Sequence, residues 1–218
     1  MDPIKNVQPF GSFLAKLLRS KAFVVTLIVL PGLWPAWPLF RQDPSVLADP
    51  LKYILHHLGF VACVLLAVVL TFTPLRVLFP KSGLVQALNR HRRLVGVSAF
   101  FYALLHLATH LLYEGGFAIL ASDVKKPFLL TGLLAFSILL VLAITSLSRA
   151  VRWLGGKRWK KLHRLAYLAA ALVAYHQAAA RKIFPVQVLW IFVPLVLLEL
   201  LRIVRQAMLS RVHHTNVP

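Results

Sequence analysis

Cysteine is nearly missing from the 218 residues. Cys63 stands alone, so within one chain a disulfide, a thiolate zinc centre and an iron–sulfur cluster are excluded. Acidic residues are scarce too, six against 25 Lys and Arg, and charged residues of both signs make up only 14%. A soluble domain carries about 25%. With 59% hydrophobic residues and a mean hydropathy of +0.76, the composition is that of an integral membrane protein. Long loops are also lacking, and neither end has the roughly 100 residues that a nucleotide- or flavin-binding domain would need.

What is present is a set of six apolar stretches at about 22–40, 54–73, 94–113, 128–148, 162–180 and 186–205. Each approaches the ~20 residues that cross a ~30 Å hydrocarbon core. They predict an all-α protein, a six-helix transmembrane bundle over 22–206, flanked by an amino tail at 1–21 and a carboxyl tail at 207–218. Of the 25 basic residues, 19 fall on the side holding both tails and the 74–93 and 149–164 segments, and six on the other. The positive-inside rule puts both termini in the cytoplasm. That placement accounts for the net charge of +19 without a nucleic-acid partner, since no basic block is interleaved with aromatics. The first stretch ends "PGLWPAWPLF", with no small-x-small cleavage site, and reads as a retained helix kinked by Pro31, Pro35 and Pro38. The segment "EGGFAILASDVKKP" at 114–127 reads as a connector rather than a docking surface.

Nine histidines are the remaining candidates for transition-metal chemistry. His213 and His214 lie in a polar tail, and His91 in "NRHRRL" reads as a solvated residue at the cytoplasmic mouth. His56 and His57 read as interfacial. His106 and His110 share one face of the third apolar stretch, four residues apart. His163 and His176 begin the fifth stretch and lie deep within it. Ionisable side chains inside a membrane are costly and mark function, and a b-type haem held between two helices takes a neutral imidazole from each. His163 and His176 lie thirteen residues apart, or ~20 Å along an ideal helix but ~140° around it. Both face the interior only with sites at different azimuths or a local distortion of the helix. Propionates would find cations in Arg92, Arg93, Lys160 and Arg164 on one side, and in Arg181 and Lys182 on the other.

The stretches "TFTPLR" at 71–76, "RHRRLVG" at 90–96, "LLHL" around His106, "LGGKRWKKLHRLAYL" at 154–168 and "AYH" ending at His176 resemble the ferric-reductase-like transmembrane family. Within it they are similar to the MsrQ (YedZ) group of haem-binding membrane subunits. The resemblance implies one or two b-type haems, with His106, His163 and His176 as haem ligands and Arg92, Arg93 and Arg164 beside the cofactor. It further implies a multi-pass protein of the bacterial inner membrane. Electrons would come from the quinone pool or a reduced flavin and pass to MsrP, a periplasmic molybdenum enzyme that reduces methionine sulfoxide in oxidised proteins. FMN is associated with the family, but no flavin motif in this sequence places it. Related NADPH oxidases carry two histidines fourteen apart on the third helix; here the position fourteen before His106 is Arg92. The inner partner of His163 is therefore missing, and His91 could replace it only with a shifted register. The chain reads as the electron-transfer subunit of an oxidoreductase system. A ferric or cupric reductase, or a non-redox transporter using histidines as proton or metal sites, is the alternative.

Overall fold

The computed structural model describes residues 10–180 and 183–215. The readings made on Arg181 and Lys182 lie outside the described residues, as do those on the side chains of His213 and His214. Helices joined by short turns, bends and irregular links make up the described residues, among which there is no strand. Short helices α1 (Phe10–Leu17), α2 (Lys21–Leu33), α3 (Ala36–Phe40) and α4 (Pro44–Leu47) lead into the long α5 (Pro50–Leu78). Then follow α6 (Gly83–Arg90), α7 (Arg92–Tyr113), α8 (Leu120–Asp123), α9 (Pro127–Thr145), α10 (Ser148–Leu162), α11 (Leu165–Ala179) and α12 (Gln187–Thr215). Four of these, α5, α7, α9 and residues 187–210 of α12, are long and apolar enough to cross a membrane; α2 and α11 are apolar but shorter.

Local chemistry sets the boundaries. Asp49 caps α5 by accepting from the Lys52 N–H at 3.1 Å, with Pro50 at the first helical position, where its missing N–H costs nothing. Pro127 begins α9 in the same way. The predicted 22–40 span is divided. Pro35 has no N–H to give the Pro31 carbonyl, so α2 ends at Leu33 and α3 restarts at Ala36. The Pro31 oxygen takes the Trp34 N–H at 3.3 Å instead, and His57 adds a shorter contact, its Nε2 lying 2.6 Å away. The 149–164 segment, expected as a loop, is the basic helix α10, bent at Gly155 where φ is +72°.

Packing runs in two pairs. Helix α5 lies against α7, and α9 against α11, in the most extensive contacts of the bundle. Small residues sit where the backbones approach: Ala99, Ala135 and Ala169 are fully buried. Apolar side chains on the outer faces, such as Leu112, Leu134 and Trp190, are exposed, as lipid-facing residues must be. Helix α12 covers α5, where the Arg205 guanidinium donates to the terminal carbonyl of α5 at Leu78. The starts of α7 and α10 and the ends of α5, α9 and α12 form a basic end; the far end carries Asp49, Glu114 and Asp123.

Candidate haem-binding site

His106 of α7 and His176 of α11 face each other near the far end, with ring centres 6.1 Å apart and planes crossed at 80°. Each ring is fixed in the same way by a neighbouring helix. His106 Nδ1 is 2.9 Å from the Leu55 carbonyl of α5, and a Cβ on Gly59 would lie 2.8 Å from that nitrogen. His176 Nδ1 is 2.7 Å from the Phe128 carbonyl of α9, and a Cβ on Gly132 would lie 2.7 Å away. In both cases the glycine stands four residues after the acceptor. Its missing side chain opens the flank of the helix, so the ring reaches the carbonyl; the Phe128 oxygen also accepts from the Thr131 hydroxyl at 2.8 Å. A backbone carbonyl only accepts, so each Nδ1 carries the proton and each Nε2 holds the lone pair that can bind a metal.

The residues fit a haem. The 6.1 Å between ring centres leaves room for one metal ion between two imidazole nitrogens, at about 2 Å per metal–nitrogen bond and about 1 Å from each ring centre to its nitrogen. Helices α7 and α11 make no extensive contact with one another, each resting on its own partner. The rings thus project across a cleft between the two pairs. Phe128 stacks on His176, and the Phe100–Phe136 pair, whose ring centres are 5.6 Å apart, packs α7 against α9. Among the described residues no group of three or more His, Cys, Asp and Glu side chains converges on one point. Two imidazoles alone suit a metal that brings its own equatorial ligands.

His110, one turn beyond His106, is used elsewhere. Its Nε2 lies 2.8 Å from the buried Asp123 carboxylate, which also meets Lys126 at 3.4 Å, tying the 114–127 segment to α7.

At the basic end His163 is not on α11 but in the turn after α10. There Ala166 and Tyr167 bond back three residues, to His163 and Arg164. This tightened turn is a local departure from the ideal helix between His163 and His176. His163 stacks on Trp159, ring centres 4.0 Å apart, and its Nε2 is 3.3 Å from Thr145 Oγ1. The Trp159 indole donates to the Thr145 carbonyl at 3.0 Å, and Arg92 lies 5.8 Å from the Trp159 ring centre. Arg93 donates to Ser148 Oγ at 3.2 Å, and Arg164 is exposed at the start of α11. The ring against His163 is a tryptophan, not a histidine. His91, expected to be solvated, instead has a buried Nε2 with no partner among the described residues, in a cavity lined from α2, α5 and α7.

Sequence reasoning missed the two glycines, because their role depends on which ring meets them. It also missed an ion pair in the last helix. Arg202 bonds Glu199 at 2.8 Å, and Tyr167 donates to Glu199 at 3.0 Å. Its signature was visible: Glu199 is the one acid inside an apolar stretch, three residues before an arginine.

Comparison with known proteins agrees with this arrangement. The profile of the family described as ferric reductase like transmembrane component matches residues 58–174, a range that contains both glycines, His106 and His163 and stops two residues before His176. The protein-methionine-sulfoxide reductase heme-binding subunit MsrQ of Herminiimonas arsenicoxydans is 39% identical over 163 residues, 73% of this chain and 71% of the relative. The MsrQ of Brucella ovis is 35% identical over 173 residues, 72% of this chain and 76% of the relative. The magnetosome protein MamZ of Magnetospirillum gryphiswaldense is 39% identical over 140 residues, 63% of this chain but only 21% of that protein. A match over more than half the chain, and over most of the MsrQ subunits, joins the geometry of the two imidazoles to one conclusion: the chain belongs to the ferric-reductase-like transmembrane family, with the MsrQ haem-binding subunits among its relatives.

Proposed function

We propose that this chain is the transmembrane electron-transfer subunit of a protein-methionine-sulfoxide reductase system. In this reading it is a six-span protein of the bacterial inner membrane with both termini in the cytoplasm. It relays electrons from the quinone pool or a reduced flavin to a periplasmic MsrP partner. The carrying observation is the His106–His176 pair, 6.1 Å apart, each Nδ1 engaged by a helix carbonyl.

Haem, when bound, supplies a one-electron couple. The protein's part is to hold and insulate it. His106 and His176 would hold it through their Nε2 nitrogens, and the Leu55 and Phe128 carbonyls fix the Nδ1–H tautomer of each ring and raise its basicity as a ligand. Phe128 stacks on the His176 ring and shields that face of it. Arg92, Arg93 and Arg164 at the basic end give cations for propionates or for a donor's phosphate. His163, with a tryptophan against it and no histidine opposite, serves the donor side rather than a second bis-histidine centre.

The test is the haem content and the reduced-minus-oxidised spectrum of His106→Ala and His176→Ala, followed by mixing the reduced protein with purified MsrP. Both variants should lose most of the low-spin spectrum, and wild-type haem should reoxidise only when MsrP is added. Wild-type haem content in both variants would overturn the site. Reoxidation by ferric or cupric ions alone, with MsrP inert, would favour a metal-ion reductase.

A further inference from the structure

A cavity of about 300 Å³ lies between α2, α5 and α7, apart from the His106–His176 cleft. It is long and narrow. Its α5 wall runs from Phe60 to Phe72, twelve residues or ~18 Å of helix. Leu27, Phe60 and Val68 on its margin are exposed, so it opens toward the lipid. Among the described residues no Lys, Arg, Asp or Glu lines it, and the one ionisable side chain is His91 at the basic end. The His91 Nε2 is buried and has no hydrogen-bond partner among the described residues. Such a nitrogen is costly to leave unmatched.

We propose that this groove is a binding site for a lipid-soluble quinone or quinol, the ring held at His91 and the prenyl tail along α5. The identity of the ligand rests on the electron-relay reading above; the shape and polarity of the groove do not. A phospholipid fits less well, because its phosphate would find no cation among the lining residues. A quinone head is neutral, and one of its oxygens can meet His91 while the rest of the molecule lies against apolar side chains. A neutral imidazole answers both redox forms, donating to a quinone carbonyl in one tautomer and accepting from a quinol hydroxyl in the other. The location also suits a donor. His91 immediately precedes Arg92, whose guanidinium lies 5.8 Å from the centre of the Trp159 ring that stacks on His163. The groove head and the basic-end cluster are thus joined through consecutive residues.

Binding of menadione, and of the same naphthoquinone bearing two isoprene units, is measured by equilibrium dialysis on the purified full-length protein in detergent. Wild type should bind the tailed compound at least about tenfold more tightly, as apolar burial of the tail requires. His91→Leu, close to the same volume, should weaken both by about five- to tenfold. Val68→Trp, a change on the lipid-facing margin that spares buried residues, should erase most of the tail's increment and leave menadione unaffected. Equal binding of the tailed quinone to wild type and both variants overturns the proposal. So does its displacement by phosphatidylcholine at the concentration that an unlabelled quinone requires, which would make the groove an acyl-chain site. Haem content is measured on the same samples: a protein without haem that still binds quinone through His91 keeps this site while failing the relay reading.

Discussion

The His176 ring lies so close against Gly132 that a methyl group there would come within 2.7 Å of Nδ1, and Gly59 stands in the same relation to His106 at 2.8 Å. Alanine is the better helix former by about 1 kcal/mol, so propensity alone predicts that Gly59→Ala and Gly132→Ala stabilise the protein. The close approach predicts the reverse at the site. Each variant should retain less than about half the wild-type haem, because the ring must leave its carbonyl. Gly96→Ala, where the nearest atom is Val69 Cγ2 at 3.8 Å, should keep full haem content and match or exceed wild type in thermal stability. Haem per protein and melting temperature, measured on the three variants, check this.

The two helices that carry His106 and His176 were legible in sequence because an imidazole in an apolar run is conspicuous. The azimuth conflict between His163 and His176 also pointed to a distortion, found in the turn at 163–167. What could not be read was anything that depends on neighbours. His91 and His110 look alike as lone histidines near helix ends, yet one ends in an apolar cavity and the other on a carboxylate thirteen residues later. The division of the 22–40 stretch was visible in its prolines, but not that His57 would reach the Pro31 carbonyl. The basic 149–164 segment was read as a loop because its charge masked its helical periodicity.

His163→Ala should leave the spectrum of the His106–His176 site unchanged while slowing reduction by quinol or reduced flavin several-fold, since its ring and Trp159 fill the basic end between α9 and α10. Stopped-flow reduction with each donor provides the check. A loss of the low-spin signal instead would place His163 at the haem.

His57→Leu should cost about 1–2 kcal/mol, the penalty for leaving the Pro31 carbonyl without its short hydrogen bond. Pro35→Ala restores a backbone N–H four residues after that carbonyl. In the double variant the His57 deficit should largely disappear, and a double-mutant cycle on thermal unfolding measures the recovery.

Asp123→Asn removes the carboxylate shared by His110 and Lys126. The 114–127 segment should then exchange its amide hydrogens faster and be cleaved more readily by added protease, with haem content preserved. Mass-spectrometric hydrogen exchange resolves the segment. If MsrP docks at this end, reoxidation by MsrP should slow in parallel.

The charge asymmetry predicts that a cysteine placed in 114–127 reacts with an impermeant thiol reagent on intact spheroplasts, and that one in 149–161 does not. The natural Cys63 is buried and donates to Gln177 Oε1 at 3.1 Å, so Cys63→Ser keeps a donor and gives a quiet background. The opposite labelling pattern would reverse the bundle.

Tyr102 repeats the arrangement of the two histidines. Its hydroxyl donates to the Ile28 carbonyl at 2.8 Å beside Gly32, four residues further on. Three rings on α7 and α11 are thus latched to three carbonyls on α2, α5 and α9. In a bilayer the hydrophobic effect does not oppose the sliding of one helix along another, because lipid solvates either position equally well. A slip of one residue, however, would carry an acceptor carbonyl ~1.5 Å along the axis and ~100° around it, beyond the reach of its ring. The latches therefore work as register stops. A haem held by His106 and His176 would have its depth, and hence how far an electron must travel to either surface, set by helices that carry neither histidine.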